Sequence, residues 1–248
     1  MASTSSARVI ICGDMHLRPH DRGAFLMFLA DLGQRPAAHL VILGDLFEYW
    51  LDGPVAQRAY QGLFVRLQAL HQQGWHIHLV PGNRELAGGG YLRTAVPWHV
   101  HPHSCDVHCY GKRLRIVHGD RLVRDPGYRF MVAHLKGWWC MAWRRCLPLS
   151  LQVFIARSLR AFSRRKQRRV SELGAALSLL DPRRVQAAAV HCDTLIAGHI
   201  HQQLQRHIRG IEFVLCGHWE ADHGSWVEVD AAGHITLCKQ SWSLNAAG

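Results

Sequence analysis

Residues 8–16 read Arg-Val-Ile-Ile-Cys-Gly-Asp-Met-His, residues 40–45 read Leu-Val-Ile-Leu-Gly-Asp, and residues 76–84 read His-Ile-His-Leu-Val-Pro-Gly-Asn-Arg. In each, an apolar run of strand length breaks near a glycine and is followed at once by Asp, Asn or His. Between them, residues 22–32 and 57–72 carry apolar side chains at helical spacing, closing at Gly33 and Gly74. The first 83 residues are therefore expected to run β-α-β-α-β. Each strand delivers its polar motif at its C-terminal end, where open α/β sheets place their sites.

The same reading extends along the chain. Residues 106–110 and 113–117 flank Gly111 like the arms of a hairpin and deliver His118-Gly119-Asp120. Residues 194–197 lead into Gly198-His199-Ile200-His201, and strands are expected again over 211–216, 225–229 and 234–238. The fold class expected is α/β: a two-sheet β-sandwich flanked by helices, with residues 1–124 and 191–248 forming its core. Residues 125–190 contain almost no strand-like runs and are expected to form an inserted helical lid.

Asp14, His16, Asp45, Asn83, His118, His199 and His201 are the groups that can hold two divalent cations side by side. Asp45 is the expected bridging carboxylate. Asp14, His16 and His201 would complete one site, and Asn83, His118 and His199 the other. In an extended segment residues i and i+2 point the same way, so the Asp-x-His and His-x-His spacings can each serve one centre. An oxygen and nitrogen set without thiolates suits Mn²⁺, Fe²⁺ or Zn²⁺ better than Ca²⁺. Two cations would lower the pKa of a water held between them and neutralise phosphate oxygens as charge builds. Arg84, next to Asn83, is placed to clamp a further phosphate oxygen. The expected catalytic set is Asn83, Arg84, His118 and His199. Other histidines read differently: His99, His101 and His103 as surface or turn residues, His76 and His78 as packing residues.

Charge is unevenly spread. Of the chain's net +11, residues 121–184 hold 15 Lys or Arg against 3 acids, so the rest is a nearly neutral scaffold. A local acidic partner is implied. The same segment carries Trp138, Trp139 and Trp143 and the run Arg164-Arg165-Lys166-Gln167-Arg168-Arg169. Aromatic rings at headgroup level with cations on phosphates would rest on an anionic bilayer. Nucleic acid is not favoured, since no recognition motif accompanies the basic patch. No apolar stretch of about 18 residues is present to span a membrane, and the N-terminus has no apolar signal region. Eight cysteines without a CxxC pair suit a reducing cytosol rather than a disulfide framework. The protein is expected to be a monomer, peripheral to the inner face of the cell membrane.

Taken in order, the five motifs resemble the calcineurin-like metallophosphoesterase superfamily. Gly44-Asp45-Leu46-Phe47-Glu48-Tyr49-Trp50 and Gly82-Asn83-Arg84-Glu85 are similar to the UDP-2,3-diacylglucosamine hydrolases of lipid A biosynthesis. That resemblance implies a two-sheet sandwich with a pair of Mn²⁺ ions, hydrolysing the pyrophosphate of a UDP-linked diacyl sugar to UMP and a lipid monophosphate. It implies substrate contacts from Asn83, Arg84, Asp125, Tyr128, Ser163 and His199. The chain departs from the family pattern at Glu85, where Asp is usual, and in the lid, where the best register gives Ser163, Gln167 and Val170. Alternatives within the superfamily are a broader phosphodiesterase or a nuclease. An alternative of another class is a membrane- or RNA-binding module with a vestigial metal site.

Overall fold

In the computed structural model the described residues are 8–19, 23–48, 50, 53–85, 90–109, 111–124 and 176–243. Strand β1 (Val9–Cys12) lies between β2 (His39–Ile42) on one side and β10 (His223–Val229) on the other. β3 (His76–Leu79) and β4 (His99–Val100) continue the sheet in parallel beyond β2, and β11 (Ile235–Ser241) closes the opposite edge antiparallel. The second sheet has the order β5 (Cys105–Cys109), β6 (Lys112–Val117), β7 (Thr194–Ala197), β9 (Ile211–Cys216) and β8 (Gln203–Ile208). Its three inner strands are parallel and its two edges antiparallel.

The continuous apolar runs follow from this arrangement, because parallel strands in the middle of such sheets are covered on both faces. All four residues of β1 are buried. Val9 and Ile11 point between the sheets, into a cluster with Val41, Leu43, Ile116 and Val214. Ile10 and Cys12 point the other way, toward helices α1 (Ala24–Leu32) and α3 (Gln61–Gln72). That outer layer is aromatic: Phe28 meets Trp226 at 4.8 Å and Trp219 at 5.0 Å between ring centroids.

Several local expectations are corrected. The helix expected over 57–72 is two helices, α2 (Pro54–Ala59) and α3, separated at Tyr60. Tyr60 is buried, stacks edge-on against Phe47 and donates its hydroxyl to Leu17 O, and this anchoring interrupts the helical run. β8 was not legible because its sequence, Gln-Leu-Gln-Arg-His-Ile, is polar; it is a half-exposed edge strand. Its hairpin with β9 turns through Arg209 (φ 51°) and Gly210 (φ 81°), a two-residue loop with both positions left-handed. β4 spans two residues, too short to read. Among the histidines assigned to surface or packing, His99 and His103 are exposed, while His78 and His101 lie half-buried against each other.

Residues 125–175 of the expected insertion lie outside the described residues, with Asp125, Tyr128, Ser163, the three tryptophans and the arginine run. A short helix α4 (Gly90–Thr94) precedes β4. The described part of the expected 125–190 insertion holds α5 (Ala176–Leu179) and α6 (Pro182–Ala188), the latter capped by Asp181, which accepts from Arg183 N. Leu180, Val185 and Ala189 pack against Leu195, Phe213 and Leu215 on the outer face of the second sheet. Residues from Leu180 to Ala189 thus pack as the sandwich's fourth layer. Phe28 is fully buried in its aromatic cluster, so Phe28→Ala should destabilise the fold by about 3–5 kcal/mol, read as a lower urea midpoint at unchanged slope.

Candidate metal centre

The C-terminal ends of parallel strands from both sheets meet at one edge of the sandwich. β1 leads to Asp14 and His16, β2 to Asp45, β3 to Asn83 and Arg84, β6 to His118, and β7 to His199 and His201. Asp14, His16 and His201 form one trio and Asp45, His118 and His199 another, with the ligand atoms in each within 4.8 Å of one another. Asn83 Oδ1 lies 3.1 Å from His118 Nε2, beside the second trio.

The chain reaches this geometry by turning rather than by staying extended. Asp14, His16, Asp45, His199 and His201 have φ between 48° and 71°, the left-handed region that residues with a Cβ rarely adopt. Convergence of the two x-spaced pairs therefore comes from left-handed turns, not from strand alternation as the spacing suggested. Such conformations cost on the order of 1–3 kcal/mol each and persist where surrounding bonds over-determine them. Here Asp14 N donates to Gly44 O (3.1 Å) and His16 N to Asp45 O (2.9 Å), while His199 N donates to Asp14 Oδ2 (2.6 Å). The glycines give room. A Cβ on Gly82 would lie 2.5 Å from Asp45 N and Oδ1, and one on Gly44 (φ 66°) 2.5 Å from Gly82 N.

Burial sets the electrostatics. Asp14 and Asp45 are 0% and 2% exposed. Burial alone would raise their pKa values, yet His201 and His118 beside Asp14, and His118 and Arg84 beside Asp45, hold both carboxyls below the usual range. Burial likewise disfavours a charged His118, but the Asp45 and Asp14 carboxylates prevail and lift it to about 9. Desolvation and the facing His118 push the half-buried His199 down to about 4. The pocket thus balances two carboxylates against nearby positive charge. It fits divalent cations on three further counts. Asp14 Oδ1 is buried without a hydrogen-bond partner. His16 Nε2 and His201 Nε2 face each other at 3.0 Å. His118 Nδ1 lies 3.0 Å from Leu43 O, where it must donate, which turns Nε2 toward Asn83 and Asp45.

A family model described as calcineurin-like phosphoesterase matches residues 7–203. The chain belongs to this family. It is 32% identical to the UDP-2,3-diacylglucosamine hydrolase of Pseudomonas savastanoi pv. phaseolicola over 96% of this chain and 95% of that one. It is 31% identical to the enzyme of the same name from Stenotrophomonas maltophilia over 95% and 97% of the two chains. For the one from Haemophilus influenzae strain PittGG the identity is 26% over 91% and 96%. As a calcineurin-like phosphoesterase, the protein is a metal-dependent hydrolase of phosphoric esters or anhydrides.

For this phosphoesterase the structure gathers all seven residues expected as metal ligands, together with Arg84. Arg84 is more engaged than its sequence position suggested. Its backbone N and Nε donate to the two Asp45 carboxylate oxygens, both at 3.0 Å, and another guanidinium nitrogen donates to Glu48 O. Two contributors were missed. His218 stacks on His201 with centroids 5.4 Å apart and planes within 8°, from a loop whose sequence carries no motif. Glu85 was noted only as a departure from the family pattern. Its buried carboxylate accepts from Asp45 N (2.9 Å), Gly82 N (2.8 Å) and Phe47 N (3.3 Å), lashing the β2 and β3 loops together. Burial, reinforced by the Asp45 charge, raises its pKa. Glu85→Ala would orphan three backbone N–H groups; divalent-ion affinity measured by calorimetry should weaken by about 10–100-fold while the fold persists.

Proposed function

We propose that this phosphoesterase hydrolyses the pyrophosphate bond of a nucleotide-linked lipid, UDP-2,3-diacylglucosamine, releasing UMP and 2,3-diacylglucosamine 1-phosphate. The observation that carries the reading is the pair of ligand trios, Asp14, His16 and His201 beside Asp45, His118 and His199, with Arg84 bound to the Asp45 carboxylate. Supporting it are relatives of that name at 26–32% identity over nearly the whole of both chains. We assign Asp14, His16 and His201 to one cation, Asn83, His118 and His199 to the other, and Asp45 to both. Mn²⁺ suits this oxygen and nitrogen set. Two bound cations supply an activated water and neutralise charge on the phosphates.

The protein's own groups do the rest. Asp14, through Oδ2, holds the His199 backbone and so fixes the turn that presents the imidazole. Leu43 O selects the His118 tautomer. Arg84 supplies a fixed positive charge beside Asp45, where a phosphate oxygen developing charge would be stabilised. Asn83, Arg84 and His199 form the substrate-facing part of the catalytic set with His118. We further infer that the basic, tryptophan-bearing sequence beyond Arg124 engages the anionic inner leaflet and the acyl chains, with Asp125, Tyr128 and Ser163, all outside the described residues, as headgroup contacts. No helix among the described residues is long and apolar enough to cross a membrane, which is compatible with such peripheral attachment. The protein works as a monomer at the cytoplasmic face.

Asp45→Ala and His118→Ala should each reduce Mn²⁺-dependent UMP release from UDP-2,3-diacylglucosamine below about 1% of wild type, with far-ultraviolet circular dichroism unchanged. Full activity of either variant at saturating metal would refute the assignment. Turnover of bis-p-nitrophenyl phosphate or DNA in preference to the lipid would place the protein among the broader phosphodiesterases. Sedimentation with vesicles containing anionic phospholipid should fall sharply between about 0.1 and 1 M salt, as the Debye length drops from about 10 to about 3 Å.

A further inference from the structure

A second histidine cluster is built from residues outside the five motifs of the metal centre, where the first sheet meets the first strand of the second. His78 on β3 stands between two other imidazoles: its Nε2 is 3.1 Å from His39 Nδ1 on β2, and its Nδ1 is 3.0 Å from His101 Nε2, just past β4. Cys105, the first residue of β5 and 2% exposed, comes from the other sheet. One ligand atom from each of His78, His101 and Cys105 falls within 4.8 Å of the others, the same convergence found in each trio of the metal centre. The nitrogen separation also matches the 3.0 Å between His16 and His201.

The chemistry differs from that of the catalytic centre. Two imidazoles and a thiol are borderline-to-soft donors, which favour Zn²⁺ and its neighbours Co²⁺ and Ni²⁺ over Mn²⁺ or Mg²⁺. His101 and Cys105 are four residues apart, a separation usual between paired zinc ligands. Burial, together with the neighbouring His101 and His39, pushes the His78 pKa down to about 3, so its ring is neutral at physiological pH and carries one nitrogen lone pair able to bind a cation. Burial and the adjacent Asp106 push the Cys105 thiol up to about 12, so a cation must displace its proton.

We propose that His78, His101 and Cys105 form a third metal site, separate from the catalytic pair, that takes one borderline divalent cation of the Zn²⁺ class and ties the edge of the first sheet to the edge of the second. Three protein ligands leave the fourth tetrahedral position for water. The tie crosses the one place where the chain passes from β4 to β5, so its effect is on stability rather than on the reaction.

Cobalt titration of the full chain tests this independently of catalysis. The catalytic ligand set contains no thiolate, so a sulfur-to-cobalt charge-transfer band in the near ultraviolet reports a cysteine-ligated site alone. The expected result is a band that saturates by about three equivalents, two of them taken by the catalytic pair, disappears in Cys105→Ser, and needs at least about 10-fold more cobalt in His101→Ala. Both variants should keep Mn²⁺-dependent hydrolysis, and Zn²⁺ should raise the thermal midpoint of wild type more than that of either variant. No band in wild type overturns the proposal and leaves a chain of hydrogen-bonded neutral imidazoles. A band that survives Cys105→Ser overturns it as well. If Cys105→Ser fails to fold, His101→Ala decides, and an unaltered titration there is again a refutation.

Discussion

Two carboxylates buried where two sheets meet impose most of the conditions on the rest of the structure. Asp14 and Asp45 lose hydration almost completely, and buried charge is tolerated only when paired, hydrogen-bonded or bound to metal. Compensation comes from elements far apart in sequence: Arg84 after β3, His118 after β6, His199 and His201 after β7. Both sheets must therefore present strand ends to the same edge. The parallel inner strands of each sheet, and the apolar layer between them, make that possible.

The same requirement explains the local backbone. Five of the candidate ligands sit in left-handed conformations, and glycines at 44 and 82 leave space that any Cβ would close. A loop with these features would not hold its shape unaided. It is held by the Glu85 carboxylate, which takes three backbone N–H groups from two loops, and by the ladder of bonds between the β1 and β2 turns. The Glu85 side chain reaches all three donors and so places a carboxylate at the junction of the two loops.

Polar and hydrophobic parts divide the work along each strand. Alternate residues of β1 face two different cores, one between the sheets and one beneath the aromatic helix layer. The strand is thus rigid on both faces up to Cys12, and within two residues the chain turns to expose a ligand. A tetrahedral cation at His78, His101 and Cys105 would tie this frame at the edge where β4 is only two residues long.

Apolar runs ending in Asp, Asn or His were sufficient to place β1, β2, β3, β6 and β7 and to nominate all seven candidate ligands, because strand burial and metal-ligand chemistry are both local properties of residue type. The amphipathic spacing likewise located α1 and α3. The sequence could not show that Tyr60 would split a helix, that polar β8 would pair at an edge, or that Glu85 and His218 would support the centre, since each depends on a partner remote in the chain. Nor could it show that His78 and His101, read as packing and surface residues, would converge with Cys105. Residue type and periodicity determined which groups and which strands; the tertiary structure decided which of them meet, because contact between side chains distant in sequence is set by sheet order and by the direction of each turn, neither of which is encoded in any single segment.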